Sequence, residues 1–271
     1  MSLGVLNNIA AVYATNNLNN TQLGLQNTLD QLSSGQRINS GADDAAGLSL
    51  ADGLDASSTA LSQSTSNADE GVDFLQVADG GLAQITSLLN RAVTLATEAG
   101  NGTLSTSQIT AANAEYLNIQ TEITDISNDT EYNGLNVYTK AANVYTSDGT
   151  LSQSYDTTAL GATAAATLGL TATGFTTSAL AQTEETLITA AISTVAAERG
   201  TEGADVNQLQ AVSNVESTES TNTLSAENDV IATNYATATS NLSKYEILSQ
   251  AGISALAQAN SAEQEVSKLL Q

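Results

Sequence analysis

From Leu75 to Ala99 apolar residues recur at alternating intervals of three and four: Leu75, Ala78, Leu82, Ile85, Leu89, Ala92, Ala96 and Ala99. A side-chain row of that period lies along one stripe of an α-helix, and four heptads of it predict a long helix lying along another long helix. The chain contains no proline. Proline removes a backbone donor and clashes with the preceding turn, so its absence lets helices run unbroken. The hydrophobic share is 41% but the aromatic share only 4%, and alanine supplies much of the apolar count. A thin core between close-packed helices follows, rather than a globule built around aromatic side chains.

The same logic extends to both ends. Residues 3–33 read as a helix, with Ala11, Leu18, Leu25 and Leu32 spaced by seven and Leu29 widening the stripe. Asn16, Asn17, Asn19 and Asn20 dilute it, so this segment needs a partner to hold its helix. At the other end Leu248, Ala255, Ala262 and Leu269 interleave with Gly252, Ala259 and Val266. These rows are the expected coiled-coil seams, which the family resemblance described below implies are inner ones. Ser33-Ser34-Gly35 and Asn39-Ser40-Gly41 mark a joint, after which Asp43 and Asp44 suit the start of a helix running to Ala99, which Gly100-Asn101-Gly102 ends.

A further helix is predicted from Ser107 to Ser127 through Ile109, Leu117, Ile119, Ile123 and Ile126, followed by a turn at Asn133-Gly134. From Asn136 to Phe175 the chain is rich in Thr, Ser, Gly and Ala, and Val144-Tyr145-Thr146 with Ser154-Tyr155-Asp156 reads as a hairpin. Helix is expected from Thr183 to Glu198. After Gly200 and Gly203 it resumes from Ala204 to Leu224 through Val206, Leu209, Val212 and Val215, with a break at Ala226–Asn228 before the last helix.

Composition excludes several chemistries. With no His, the chain lacks the commonest general base and zinc ligand, and with no Cys it has neither disulfides nor thiol chemistry. The spacing around Asp43-Asp44 and Asp148-Gly149 lacks the alternating oxygen ligands of a calcium loop. No metal, cofactor or catalytic residue is expected. There are 29 Asp plus Glu against 6 Lys plus Arg, a net charge of −23. Arg37, Arg91, Lys140, Arg199, Lys244 and Lys268 are scattered, so neither nucleic acid nor an anionic membrane is an expected partner. No run of about 20 apolar residues is present, and the first residues lack the basic segment of a cleavable leader. The sequons at Asn19, Asn101, Asn128 and Asn241 are expected by chance in an Asn- and Thr-rich chain.

Three stretches together resemble a bacterial flagellin. Asn16-Asn17-Leu18 with Leu32-Ser33-Ser34-Gly35, Arg37-Ile38-Asn39-Ser40 and Asp43-Asp44-Ala45-Ala46-Gly47 is similar to the family's N-terminal signature. Asn133-Gly134 matches its turn, and Tyr235-Ala236 through Ala259-Asn260 to Leu269-Leu270-Gln271 its C-terminal signature. The resemblance implies a mainly α fold, with long antiparallel coiled-coil rods from both chain ends, a small β-hairpin region in the middle and no large outer domains. It divides the chain into an inner terminal domain of residues 1–40 plus 230–271, a helical rod of 41–135 plus 178–229, and a hairpin surface region of 136–177. The implied function is a structural subunit polymerising into the flagellar filament for motility, extracellular and exported without a cleaved Sec leader. Implied partners are further copies of the chain, an export chaperone at the C-terminal helix, and the filament cap and hook-associated proteins. By resemblance, Arg91, Leu95 and Glu115 fall on the family's patch for an innate immune receptor, Toll-like receptor 5; an inter-subunit contact is the alternative use of the same residues. The rival readings are the hook–filament junction protein, a protease-bearing flagellin and a coiled-coil adhesin.

Overall fold

The computed structural model describes residues 8–139, 141, 143–149, 152–156, 164–170 and 173–269. In chain order the elements are α1 (Ile9–Ser34), α2 (Ala45–Gly100), α3 (Thr106–Asp129), β1 (Glu131–Tyr132), β2 (Leu135–Asn136), β3 (Asn143–Ser147), β4 (Ser152–Asp156), α4 (Ser178–Ile231) and α5 (Tyr235–Leu269). They form two compact units, one of Met1–Asp55 with Thr223–Gln271 and one of Ala56–Asn222.

In the unit made from the chain ends, α1 and α5 pair antiparallel. Asn8 caps α1 by accepting from the Ala11 amide at 2.9 Å, and its own amide donates to the Ala259 carbonyl at 3.1 Å. Tyr245 of α5 lies over Gly24, where an added Cβ would stand 2.6 Å from the ring. Gly24 is therefore a space for an aromatic ring, and it fixes the register of the pair. α1 ends at Gly35, whose φ of 73° belongs to the left-handed region, with its amide on the Gln31 carbonyl.

The second interruption meets the first. Gln36 bridges Ala232, the Arg37 amide donates to the Ile231 carbonyl at 2.6 Å, and the Thr233 amide donates to the Gly35 carbonyl at 3.0 Å. The Arg37 guanidinium also donates to the Val230 carbonyl at 2.7 Å, occupying a last-turn acceptor that α4 leaves open. Asp43 accepts from the amides of Asn39 and Ser40 in the connecting turn, and those bonds with the Ser40 hydroxyl hold its carboxyl below the usual range. Asp44 caps α2 through the Gly47 amide at 2.9 Å.

In the unit of Ala56–Asn222, α2, α3 and α4 share one apolar core. Leu75, Ala78, Leu82, Ile85, Leu89, Ala92, Ala96 and Ala99 are all fully buried, and the seam continues upstream through Leu61, Ser64 and Ala68. α4 runs antiparallel to α2: Ser220 lies at Ser58, Ser213 bonds Asp69, Arg199 pairs with Asp79, and Ser178 donates to the Gly100 carbonyl. α3 joins through Tyr116, which stacks at 5.2 Å on Phe175 and donates to Glu184.

The strands form two small antiparallel pairs. β1 and β2 turn at Asn133 and Gly134, with φ of 50° and 75°, the primed turn an Asn-Gly pair favours. β3 pairs with β4 and is held on α2, where Ser64 accepts from the Ser147 amide and donates to its carbonyl while Asn67 donates to the Tyr145 carbonyl. Among the described residues, no helix is long and apolar enough to cross a membrane.

Four sequence expectations are corrected. Gly200 and Gly203 do not interrupt the chain: α4 is one helix from Ser178 to Ile231, and the break lies at Ala232–Asn234 rather than Ala226–Asn228. The reason is a seven-residue column, Ala181, Ile188, Val195, Glu202, Leu209 and Glu216, buried throughout, which carries the helix across both glycines. Leu29, expected to widen the α1 stripe, is 48% exposed, and Val215 also faces outward.

The adjacent glycines of α2 give a controlled test. A Cβ on Gly81 would clash with the Tyr138 hydroxyl, which donates to the Ala78 carbonyl, whereas one on Gly80 meets nothing among the described residues within 4 Å. Gly81→Ala will destabilise by roughly 1–3 kcal/mol, and Gly80→Ala will stabilise by up to about 1 kcal/mol. Opposite shifts of the thermal unfolding midpoint check both.

Candidate functional site

The terminal pair buries one face of each helix and leaves another apolar face in solvent. Ala11, Leu18, Leu25 and Leu32 stand half-buried on α1. The facing row of α5 is Ala238, Leu242, Tyr245, Ser249, Gly252, Leu256 and Ala259. Gly252 and Ala259 from the expected seam lie in it, Gly252 against Leu18. Leu248, Ala255 and Ala262 do not: they are exposed, and Leu248 keeps 43% of its surface in water. The side chains of Val266 and Leu269 lie outside the described residues. The phase differs by three positions because the ring of Tyr245 takes the room over Gly24.

The outward faces carry large apolar groups. Ile9, Val12, Tyr13 and Leu23 of α1 are exposed, as are Tyr235, Ile247 and Ile253 of α5, with Tyr13 at 67% and Ile247 at 69%. Burying such a side chain contributes on the order of 1.5–3 kcal/mol, so these faces offer a large driving force to a covering partner. Charge is distributed accordingly. Ala56–Asn222 holds 19 acidic and 3 basic residues, net −16, and the remainder 10 and 3, net −7, together −23. The unit with the unpartnered apolar faces is the one least opposed by like charge.

The proposed receptor patch is not one surface here. Arg91 and Glu115 are half-exposed and paired at 2.7 Å across α2 and α3, but Leu95 is 3% exposed within the core. Being four residues from Arg91 places Leu95 a turn along the helix, yet the seam rotates it inward beside Ala96.

Sequence reasoning passed over buried acids on α4. Glu184, Glu202 and Glu216 are each less than a tenth exposed. The signal was present, since Glu202 and Glu216 fall in the seven-residue column of Ile188, Val195 and Leu209, where a search for apolar residues does not look. Burial, and then the bond to Glu184, push the Tyr116 hydroxyl well up. Burial raises Glu198, Glu202 and Glu216. No group of three or more His, Cys, Asp or Glu among the described residues is arranged to hold a metal ion.

The sequence profile of the bacterial flagellin N-terminal helical region matches residues 5–143, and that of the bacterial flagellin C-terminal helical region matches residues 186–270. Flagellin 1 of Proteus mirabilis is 39% identical over 130 residues, 48% of this chain and 36% of that protein. Flagellin A of Vibrio cholerae is 37% identical over 134 residues, 49% of this chain and 35% of its own. The flagellar filament 33 kDa core protein of Treponema phagedenis is 33% identical over 132 residues, 49% of this chain and 46% of its own. The matched stretch is thus less than half of each of these relatives. The crystal structure of Bacillus cereus flagellin aligns with 55% of this chain and 88% of its own, at 27% identity and a TM-score of 0.48.

Burial separates packing from recognition in the Arg91 region. Leu95→Ala will cost about 2–5 kcal/mol as a core truncation, whereas Arg91→Ala will cost about 1 kcal/mol or less as an exposed ion pair. Denaturant unfolding of the two variants measures the difference.

Proposed function

The chain belongs to the bacterial flagellin family, and we propose that it is a structural subunit that polymerises into the extracellular flagellar filament and transmits motor torque along it. The observation that carries this reading is the unpartnered apolar face of α1 and α5, with Ile247 and Tyr13 about two-thirds exposed. Further copies of the same chain are the proposed cover, with Leu248, Ala255 and Ala262 meeting neighbouring terminal helices rather than α1. In this proposal the unit from the chain ends supplies the inner packing and β3–β4 contributes to the outer surface. No residue carries out chemistry. An export chaperone at α5 and docking of cap and hook-associated proteins at the filament ends complete the reading.

Polymerising a subunit of net charge −23 opposes like charges, so assembly depends on screening. The Debye length falls from about 30 Å at 0.01 M to about 10 Å at 0.1 M ionic strength. Seeded full-length protein will therefore sediment as filaments at the higher salt and remain largely monomeric at the lower. Equal polymerisation at both would overturn the dependence. Ile247→Glu and Tyr13→Glu, placed on exposed faces, will block sedimentation while leaving the helical circular dichroism of the monomer unchanged. Filaments from both variants would overturn the role given to these faces, and a wild-type chain that stays monomeric with seeds at every salt would remove the subunit reading and favour the junction protein.

A further inference from the structure

Glu202 occupies a place in the buried column of α4 between two apolar residues, Val195 and Leu209. It is 2% exposed, and among the described residues neither carboxylate oxygen has a hydrogen-bond partner of good geometry, although the Asp79 backbone lies within reach. Three charged or titratable groups besides Arg199 act on it, Asp79 of α2, Tyr138 after β2 and Asp205 of its own helix, and Glu198, which also acts on Tyr138, lies one turn before it in α4. Arg199 is already committed to Asp79, with Nε 2.6 Å from Oδ1 and Nη2 3.2 Å from Oδ2. Glu198 likewise has an oxygen buried without a partner. A neutral carboxylic acid fits such a place as a slim, weakly polar side chain. An ionised one requires water or a cation to enter between the helices.

The backbone is weakest at the same point. Gly200 and Gly203 flank Glu202, with nothing among the described residues within 4 Å of a Cβ at either. Each glycine costs a helix interior roughly 0.8–1 kcal/mol relative to alanine. The buried carboxyl and the least self-supporting turn of α4 therefore coincide.

We propose that Glu202 is a proton-operated latch in the α2–α4 seam: protonated, it lets the helices close over it, and ionised, it opens the turn between Gly200 and Gly203 to water. Burial first, and then the charge of Asp79, raise the Glu202 carboxyl from 4.5 to about 7, while Arg199 and the nearby Asp79 backbone only partly offset them. A folded-state value raised above the unfolded one means that the native chain holds the extra proton between those two values. Closure is complete at or below 4.5, weakens as pH rises toward 7, and is weakest above it. Glu198, raised by burial, acts in the same direction, and Tyr138, pushed up to about 12, stays neutral throughout. The latch operates within one chain and does not depend on polymerisation.

Hydrogen exchange of the full-length monomer tests it, read by mass spectrometry between pH 5.5 and 8.5 after correction for intrinsic exchange. Protection of peptides covering 195–209 will fall about tenfold or more, the effect of one pKa unit being tenfold, while α3 peptides stay level. Glu202→Gln keeps the shape without the charge and will flatten the profile; Glu198→Gln will retain most of it. A wild-type profile that is flat, or a Glu202→Gln profile identical to wild type, overturns the proposal. Should Glu202→Gln not fold, Glu202→Leu replaces it and the same comparison applies. Carbon-13 titration of the wild-type Glu202 carboxyl decides independently: a midpoint near neutrality supports the latch, and one in the ordinary glutamate range overturns it.

Discussion

A row of side chains three and four residues apart along a helix as long as α2 can leave water only if a second helix covers it over the same distance. The chain supplies that cover from its other half. α4 returns antiparallel along α2, from Ser178 at Gly100 to Ser220 at Ser58, and α5 returns in the same sense along α1. Everything else depends on this pairing. The short strands lie on α2 because Ser64 and Asn67 of that helix bond the β3 backbone, and α3 enters through an aromatic contact, Tyr116 on Phe175.

Small residues decide how closely each pair approaches. In the terminal pair Gly24 and Gly252 admit Tyr245 and Leu18, and in α2 Gly71 and Gly81 admit Val144 and Tyr138. A chain with few aromatics thus uses them where glycine has cleared a place. Tyr116, Tyr138 and Phe175 are all fully buried. The core is thin, as composition implies, and pinned by a few rings.

The α2 seam was readable because its positions are uniformly apolar and nothing competes with the period. So were the Asn133-Gly134 turn and the β3–β4 pairing, whose local chemistry is sufficient. Glycine at 200 and 203 misled, since local propensity argues for a break while a column buried along α4 overrides it. The phase of α5 was hidden for a different reason. It presents apolar residues on more than one face, and which face meets α1 is set by the room at Gly24, a feature of another helix. Leu95 was misplaced by counting one turn from Arg91 without asking which side the seam occupies. The acids of α4 were invisible to a reading that looks for hydrophobic residues at core positions.

The joint between the two helix breaks has a consequence for the order in which this molecule can take shape. Gly35 and Arg37 find their partners at Val230, Ile231 and Thr233, and the Arg37 contact to Val230 spans 193 positions in the chain. Contacts of that separation carry a large loop-closure entropy and form late. Asn8 is tied still more remotely, to Glu263, 255 positions away. During synthesis α1 is made long before the segment it pairs with, so it stays unclosed until α5 has followed it.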